Sequence, residues 1–435
     1  MNSIFENKSN LDKKVSVYTM GCRLNFSETG TIAKGFHERG YKIVDFEVPA
    51  DVVFINTCTV TDGADSSCRN LIRKAQKYSP EAKIVVAGCY AQMEAENIKK
   101  MKGVDLILGT SEKYKVFDYL EDDKNEIIHI DKTNSFYKAS TSLEEGHTRA
   151  FLKIQDGCNY ICSFCIIPKA RGRSRAISID EAVTEARSLI NNGFKEIVLT
   201  GVNIGEYEQS SGEKLIDLVS RLLELDGLER FRLSSVEPNT MSKELIDLLR
   251  ASDKFLPHFH IPLQSGNDEI LTEMRRKYSV SKYKEIIGHI IELFPNAGIG
   301  ADVIVGFPGE TPKQFQDTKN LLSELPITHF HVFPYSKRKG TIAAIREDHL
   351  QHHIKKDRVK ELLNLGEKKL RDFALDQIGG TSSVLFERKN NNDLWEGYTE
   401  NFVRVFVESD LDLKNKIQNV QNIKAENGIL YSKLI

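Results

Sequence analysis

The sequence lacks any long hydrophobic run. Its first residues, MNSIFENKSNLDKK, do not contain the apolar stretch of a signal peptide, and no uninterrupted segment of about 18 apolar residues follows. We therefore expect a cytoplasmic protein without a membrane partner. Internal repeats and low-complexity segments are also absent, and 40% hydrophobic with 28% charged residues is typical of a folded globular protein.

A strong net charge is missing as well. The 60 lysines and arginines nearly balance the 62 aspartates and glutamates, which leaves a formal net charge of −2. This balance excludes a protein that coats nucleic acid with a uniformly basic surface, but it permits local basic surfaces. Cysteines are few and odd in number, seven in 435 residues. Such a count argues against a disulfide scaffold and favours metal ligands or reactive thiols.

Residues 13–125 alternate short apolar runs with helical segments. The runs KKVSVYTMGC, DVVFINTC and AKIVVAGC are predicted strands, and they end at what we call the strand-end cysteines, Cys22, Cys58 and Cys89. The helical segments between them predict a parallel, flavodoxin-like α/β sheet. Neighbouring strands lie about 4.8 Å apart and parallel strands end at one edge, so we expect the three thiols to converge on one metal cluster. The alternative is a buried core cysteine, which is the role we predict for Cys68.

Three further domains or segments are predicted downstream. Residues 126–148 form a polar linker, and residues 149–375 contain about six strand–helix units in succession. Because eight units close a TIM barrel, six predict a partial TIM-like (βα)6 barrel. Residues 376–435 contain short alternating runs, which predict a small all-β barrel. The expected fold class is α/β with a C-terminal β-barrel.

The stretch DGCNYICSFCIIPKARG follows the first predicted barrel strand and holds three more cysteines. These barrel cysteines, Cys158, Cys162 and Cys165, form a C-x3-C-x2-C pattern. Three thiolates are one short of a closed zinc site, whereas an iron–sulfur cubane held by three cysteines keeps one iron open for a ligand. A structural zinc in an RNA-binding module and a non-catalytic electron carrier are the alternatives from other functional classes.

The C-x3-C-x2-C pattern on the rim of a partial barrel resembles the radical S-adenosylmethionine enzymes, and within them the methylthiotransferases. The resemblance covers nearly the whole chain and rests on the strings TMGCRLNFSET, INTCTVT, VAGCYAQ, CNYICSFCIIPKARGRSR, VLTGVNIGEY, SSVEP, PLQSGND, DVIVGFPGET and PYSKRKGT. It implies a C-terminal TRAM-like barrel, two 4Fe-4S clusters and S-adenosylmethionine. By this resemblance the barrel cysteines bind the cluster that cleaves S-adenosylmethionine to a carbon radical, and the strand-end cysteines bind the cluster that presents sulfur.

The same resemblance assigns further strand-end residues to S-adenosylmethionine. They are Gly201, Asn203, Ser235, Glu237, Gln264 and Asp302. The alternatives are structural, since glycines at strand ends serve turns and Glu237 has the character of a surface ion-pair residue.

The family modifies either an adenosine beside the anticodon of tRNA or an aspartate of a ribosomal protein. GCRLNFSET and CIIPKARGRSR are most similar to the group that acts on N6-threonylcarbamoyladenosine, rather than the group that acts on isopentenyladenosine. We therefore expect methylthiolation at C2 of the former, with the tRNA anticodon stem-loop as partner. An electron donor such as flavodoxin or ferredoxin and a monomeric state are also expected, whereas the sulfur donor is left open.

Basic residues near the predicted rim are candidate RNA contacts that neutralise phosphates. The candidates are Arg171, Arg173, Arg175, Arg276, Lys337 and Arg338, flanked by Arg275, Lys277 and Lys339. The alternative is an ordinary solvated surface. Residues 376–435 contain nine acidic and seven basic residues, which favours RNA contacts on the barrel and on the predicted helix at 352–377 and keeps a protein substrate open.

Overall fold

A computed structural model describes residues 13–59, 62–121, 135–141 and 148–435. Most of the predicted linker, at 126–134 and 142–147, lies outside these ranges, and the predicted domain boundaries stay predictions. The chain divides into two compact units. The first contains the described residues up to 141 together with 156–158 and 166–175, and the second contains 148–155, 159–165 and 176–435.

The first unit is built on a parallel sheet with the strand order β2-β1-β3-β4-β5, which is the flavodoxin-like order that the sequence predicts. The strands are β1 (Lys14–Thr19), β2 (Lys42–Val44), β3 (Val52–Thr57), β4 (Lys83–Gly88) and β5 (Leu106–Leu108). The helices are α1 (Arg23–Glu38), α2 (Asp62–Tyr78), α3 (Cys89–Lys99), α4 (Val116–Glu121) and α5 (Ile167–Arg171).

Strand β3 explains why this sheet has a core on each face. Val53 and Ile55 pack into one hydrophobic cluster, and Val52 and Phe54 pack into the other. Successive side chains of a strand point to opposite faces, and helices cover both faces of a parallel sheet. A continuous apolar run such as VVFIN is therefore what this central strand requires.

The second unit contains six parallel strands in chain order, which confirms the predicted partial barrel. They are β6 (Arg149–Lys153), β9 (Glu196–Thr200), β10 (Arg230–Leu233), β11 (His258–His260), β12 (Gly298–Val305) and β13 (His329–Pro334); β7 (Gln155–Asp156) and β8 (Arg175–Ala176) are two-residue strands. The six parallel strands form two sheets, with the orders β10-β9-β6 and β11-β12-β13. A parallel bridge between Phe231 and Phe255 and a hydrogen bond from the Val236 N–H to the His260 carbonyl connect the two sheets.

Helices follow most of these strands, as expected for βα units. They are α6 (Ile179–Asn191), α7 (Leu215–Leu223), α8 (Lys243–Arg250), α9 (Asp268–Glu273), α10 (Val280–Leu293), α11 (Pro312–Glu324) and α12 (His352–Leu375). In the part of the chain that the structure describes, no helix has the length and apolar composition needed to cross a membrane.

The C-terminal segment closes into the small β-barrel that the sequence predicts. Its strands are β14 (Thr381–Lys389), β15 (Trp395–Tyr398), β16 (Arg404–Val407), β17 (Ile417–Glu426) and β18 (Ile429–Leu434), in the order β14-β15-β16-β18-β17. The sequence does not predict β17, because its polar residues and the register shift between Asn422 and Lys424 break the alternation.

A buried ion-pair cluster joins the partial barrel to the C-terminal β-barrel. The Glu196 carboxylate lies 2.8 Å from both the Arg230 and the Arg232 Nε atoms. These guanidinium groups also donate to backbone carbonyls in the loop after β15, among them those of Thr399 and Glu400. Burial by itself raises the pKa of Glu196, but Arg232 and Arg230 outweigh it and lower the pKa to about 2. Glu196 therefore stays ionised and compensates two buried cations.

We expect Glu196→Gln to lower the free energy of unfolding at neutral pH by about 3–5 kcal/mol, because it leaves buried cations uncompensated. The folded-state pKa is depressed, so the wild-type contribution is complete above the ordinary value of 4.5 and is lost as the pH falls towards about 2. Denaturant unfolding between neutral and acidic pH should show the two proteins converging in acid. Glu229→Gln, at an exposed ion pair with Lys195, should change stability by less than about 1 kcal/mol. Parallel pH profiles for Glu196→Gln and the wild type would contradict this account.

Candidate active site

The strand-end cysteines follow three neighbouring strands of the first unit. Cys58 directly follows β3, Cys89 directly follows β4, and Cys22 lies at the N-terminus of α1, shortly after β1. Gly21 has a φ of +101°, and a Cβ there would stand 2.9 Å from the Cys58 sulfur. Only glycine permits this approach, and it brings the segments of Cys22 and Cys58 together.

The cysteines of this unit differ in their surroundings. Cys22 is exposed, whereas Cys58 and Cys89 are buried. Burial raises the pKa of the Cys89 thiol, and the positive charges of Arg171 and Lys113 oppose that rise. Cys68 is fully buried in the core, and burial raises its pKa to about 11. It therefore has the structural surroundings that the sequence predicts for it.

The barrel cysteines lie on the loop between β7 and α5. The Cys158 N–H donates to the Gly172 carbonyl (3.1 Å), within the first unit. In the second unit, the Arg276 Nη1 atom lies 3.2 Å from the Cys162 sulfur, and the Cys165 N–H donates to the Cys162 carbonyl. Burial raises the pKa of Cys162, and the Arg276 guanidinium opposes this rise.

The donor set suits an iron–sulfur cluster, because all six predicted ligands are cysteine thiols. As the side chains stand, no three His, Cys, Asp or Glu residues among those described are grouped closely enough to hold a single metal ion. The assignment of the cysteines to clusters therefore stays a prediction that their placement at strand ends favours.

Gln264 is the predicted cofactor residue with the most unusual surroundings. Its φ is +63°, in the left-handed region that non-glycine residues rarely adopt. Its backbone is fixed by hydrogen bonds to Asp302 and Ile304 of β12. The side-chain Oε1 is buried and has no hydrogen-bond partner among the described residues. A buried acceptor without a partner costs free energy, and strain of this kind concentrates at functional sites. Gln264 therefore fits a ligand-binding role.

The other predicted cofactor residues follow β9 and β10, except Asp302, which lies within β12. The backbone of the loop at Gly201 is held by Gln155, whose Oε1 accepts hydrogen bonds from Val202 and Asn203, and a Cβ at Gly201 would stand 2.9 Å from the Gln155 carbonyl oxygen. Ser235 is half-buried at the end of β10. The close approach to Gln155 therefore gives a structural reason for a glycine at position 201, in addition to its predicted cofactor role.

Glu237 contacts the Arg276 guanidinium, which also contacts Cys162. A cation beside a cysteine sulfur stabilises the thiolate form that a metal ligand adopts. Arg276 is thus a buried neighbour of the barrel cysteines, a role that the basic run in the sequence does not reveal.

Four histidines that share one face of β11 and β13 were not identified in the sequence analysis. His258 and His260 of β11 and His329 and His331 of β13 flank Asp302 and two glycines of β12; the His258 ring stacks on His329, and the His260 ring stacks on His331. The His260 Nε2 atom lies 3.1 Å from an Asp302 carboxylate oxygen. Burial raises the pKa of Asp302, but His260 and the neighbouring imidazoles lower it overall. The signal in the sequence was the alternation H-F-H in both strands, since alternate residues share one face.

A cavity of about 410 Å³ opens beside the barrel-cysteine loop in the second unit. Its lining includes Tyr160, Glu206 and Lys277, and the Lys277 ammonium lies 3.8 Å from the centre of the Tyr160 ring. Glu206 accepts a hydrogen bond from the Asn159 N–H (2.9 Å). Volumes of this order hold small organic ligands, so the cavity is suitable for a base or a cofactor fragment.

The candidate RNA contacts have different exposures. Arg173 and Lys337 are exposed, whereas Arg171 and Arg338 are buried and Arg175 is mostly covered. Phosphates are accessible only to side chains that reach the surface, so the exposed members fit an RNA contact better than the buried ones.

A substitution at Gly300 of β12 tests how closely the histidine rings of β11 and β13 pack against this strand. A Cβ at this position would stand 2.6 Å from His329 Nε2 and 2.9 Å from His260 Nδ1. We expect Gly300→Ala to lower the free energy of unfolding by about 1–3 kcal/mol, because the rings must move. Gly288→Ala is the control, since no atom lies within 4 Å of a Cβ there, and an alanine in α10 should stabilise the helix by about 1 kcal/mol. Equal stabilities of Gly300→Ala and the wild type in denaturant unfolding would refute this packing.

Two family models match the chain. The Radical SAM superfamily model matches residues 152–322, and the model described as Uncharacterized protein family UPF0004 matches residues 14–109. The chain is also similar in fold to the radical S-adenosylmethionine methyltransferase TsrM from Kitasatospora setae, with a TM-score of 0.55, 15% identity and 77% of each chain covered. At this identity the likeness concerns the fold alone.

Curated relatives cover nearly the whole chain. The threonylcarbamoyladenosine tRNA methylthiotransferase MtaB of Bacillus subtilis is 38% identical over 94% of both chains. The protein of the same name from Aquifex aeolicus is 39% identical over 90% of this chain and 96% of its own. A tRNA-2-methylthio-N(6)-dimethylallyladenosine synthase of Fusobacterium nucleatum is 31% identical over 97% of this chain and 100% of its own.

These matches confirm the resemblance drawn from the sequence motifs and favour an enzyme over the non-catalytic alternatives. Radical S-adenosylmethionine enzymes use S-adenosylmethionine and 4Fe-4S clusters, which are the cofactor types that the cysteine patterns predict. The chain is an enzyme that belongs to the MtaB family of tRNA methylthiotransferases, within the radical S-adenosylmethionine superfamily.

Proposed function

We propose that this enzyme methylthiolates C2 of an N6-threonylcarbamoyladenosine beside the anticodon of tRNA, using two 4Fe-4S clusters. The observation that carries the two-cluster assignment is the position of Cys22, Cys58 and Cys89 at the ends of three neighbouring parallel strands. Because such ends meet at one sheet edge, the thiols are suited to one small cluster. The names of the relatives support the nucleoside.

The two cysteine sets have separate tasks in this proposal. The barrel cysteines would hold the cluster that, with S-adenosylmethionine, supplies the radical chemistry needed at an unactivated C–H bond. The strand-end cysteines would hold the cluster that presents sulfur, and a second S-adenosylmethionine supplies the methyl group. A C–H carbon has neither an acidic proton nor a leaving group, so the acid–base groups of the protein alone have little to act on.

The protein would bind and orient these groups. Gln264 offers a buried acceptor, and Asp302 offers a carboxylate that nearby imidazoles keep ionised. Both suit the hydroxyl and amino groups of S-adenosylmethionine, to which the family resemblance assigns four further residues. Those are Gly201, Asn203, Ser235 and Glu237.

A base from the anticodon loop is a suitable substrate for a site of this shape. Single-stranded loop bases can be splayed into a pocket without breaking a duplex, and the cavity of about 410 Å³ beside Tyr160 has a matching size. Exposed Arg173 and Lys337 are the proposed phosphate contacts. A flavodoxin or ferredoxin as electron donor, a monomeric state and a cytoplasmic location stay predictions.

Nucleoside mass spectrometry of tRNA from a strain without this gene tests the substrate. We expect 2-methylthio-N6-threonylcarbamoyladenosine to disappear and its unmethylthiolated precursor to accumulate. The control is reintroduction of the gene, which should restore the modified nucleoside. Unchanged levels of that nucleoside in the deletion strain would refute the proposal.

A second candidate is isopentenyladenosine, which the Fusobacterium nucleatum relative favours by its name. The same experiment separates the two, because the second candidate requires the loss of the methylthio group from isopentenyladenosine. A ribosomal-protein aspartate has no support among these relatives, which are named as tRNA enzymes.

Single cysteine variants test the division of tasks. Cys162→Ala should abolish the cleavage of S-adenosylmethionine, whereas Cys58→Ala should keep cleavage measurable but stop the formation of methylthiolated nucleoside. Each variant should lose about half of the roughly eight irons that two cubanes contain. Cys68→Ala is the control, since this thiol is packed in the core and should not change the iron content. Methylthiolation by Cys58→Ala at the wild-type rate would exclude the two-cluster assignment.

A further inference from the structure

The first unit contains a cluster of buried charged side chains that the reaction does not explain. We call it the buried charge network: Glu28, Lys113, Asp156, Arg171 and Arg175. Their side chains are between 0% and 10% exposed. Charges at this depth are costly unless they are paired, so their geometry is informative.

Arg171 is the centre of the network. Its Nη1 and Nη2 atoms bind the two Glu28 oxygens at 2.9 and 3.1 Å, and Nη1 also lies 3.1 Å from Asp156. The Lys113 ammonium pairs with the same Glu28 carboxylate. A bidentate arginine–carboxylate pair fixes orientation as well as distance. The network therefore holds the segment of Arg171 rigidly against α1.

One arm of the network reaches the strand-end cysteines. Arg171 Nη2 donates to the Asn25 Oδ1 atom at 2.7 Å. The Asn25 amide in turn donates to the backbone carbonyls of Met20 (2.6 Å) and Thr57 (3.2 Å). Thr57 immediately precedes Cys58, and Met20 lies two residues before Cys22. Asn25 thus fixes the backbone from which two of the three thiols emerge.

The other arm reaches the first barrel cysteine. The Asp156 Oδ1 atom accepts the Gly157 N–H at 2.8 Å, and the Cys158 N–H donates to the Gly172 carbonyl at 3.1 Å. Gly157 has a φ of +72°, and a Cβ there would stand 2.0 Å from the Arg173 carbonyl oxygen. The backbone at Cys158 is therefore clamped between Asp156 and the turn after Arg171.

These contacts place four of the six predicted ligands in one compact unit. Residues 156–158 and 166–175 flank the barrel-cysteine loop in the sequence, yet they belong to the unit of the parallel sheet. Buried ion pairs are weak evidence for stability, because hydrophobic residues often replace them without loss. The buried charges are better explained by a role in orienting the two segments that carry the predicted cluster ligands.

We propose that Glu28 and Arg171 are positioning residues that hold Cys158 in a fixed place relative to the strand-end cysteines. The inference rests on the proposed two-cluster function and adds a requirement to it: radical formation and sulfur delivery depend on the same buried carboxylate–guanidinium pair. Displacements of about 1 Å can lower a rate by about a hundredfold when reacting groups must be aligned.

The main test uses Glu28→Gln in the full-length chain, with two readouts. The first is hydrogen exchange of the cluster-free protein, in which we expect the amides of Gly157 and Cys158 to exchange about tenfold faster than in the wild type. The second is the yield of methylthiolated nucleoside per 5′-deoxyadenosine released by the reconstituted enzyme, which we expect to fall about tenfold. Arg171→Lys keeps the charge but loses the bidentate geometry, and it should move both readouts in the same direction.

Glu310→Gln is the matched control. Glu310 is also buried and pairs with an arginine, Arg358, but in the second unit. This variant should lower thermal stability without changing either readout. Wild-type exchange and wild-type yield in both Glu28→Gln and Arg171→Lys would overturn the inference, as would a tenfold change in both readouts for Glu310→Gln.

The exchange readout separates this inference from the proposed function. A wild-type enzyme that makes no methylthiolated nucleoside refutes the proposed function, whereas the exchange rates at Gly157 and Cys158 still decide whether the network fixes this segment. Fast exchange in the variants with an unchanged yield shows a structural role alone and refutes the positioning role.

Discussion

Parallel strands that end at one edge are the constraint on which the proposed cluster site of the first unit depends. Because β1, β3 and β4 are neighbours in the sheet, the residues that follow them are close in space although they are far apart in the sequence. Gly21 allows the segments of Cys22 and Cys58 to approach, which a larger residue would prevent. The sheet thus brings the segments of the three cysteines to one edge, which is the arrangement that the proposed shared cluster requires.

Buried charge completes this arrangement. Glu28, Lys113 and Arg171 lie beneath the same edge, where burial alone would raise the pKa of thiols such as Cys89, and the cations oppose it. The thiolates of a cluster carry negative charge, which nearby guanidinium and ammonium groups stabilise. Arg171 also contacts Asn25 and Asp156. One side chain therefore both opposes the effect of burial on the thiols and connects the segments of the two residues.

The fold and the placement of the strand-end cysteines were predictable because their signals are local, whereas the networks of side-chain contacts were not. Alternating apolar and helical segments predict the sheet and the partial barrel, and the strand-end cysteines lie within three residues of the ends of β1, β3 and β4. Arg171 had the sequence context of an RNA contact, because its partner Glu28 is 143 residues away and only the fold brings the two together. Asp302 was predicted, but its histidine neighbours were not, since their ring contacts depend on the register of β11 and β13 with β12. Strand β17 was missed because polar residues hide its alternation.

Recognition of RNA by a chain with a net charge of −2 requires local basic surfaces. On the C-terminal barrel, Lys389, Lys424 and Arg404 pair with acidic neighbours, so their charge is partly compensated. Helix α12 differs, because it carries four exposed basic residues that form no ion pair among the described residues: Lys356, Lys360, Lys368 and Arg371. At about 3.6 residues per turn these positions fall within one third of the helix circumference and extend over about 22 Å. Exposed Asp357 and Glu367 lie in the same third and offset part of the positive charge. The four cations outnumber the two carboxylates, so this face of α12 keeps a positive charge, and such a surface agrees with the expectation that phosphate contacts lie on this helix rather than on the slightly acidic C-terminal barrel.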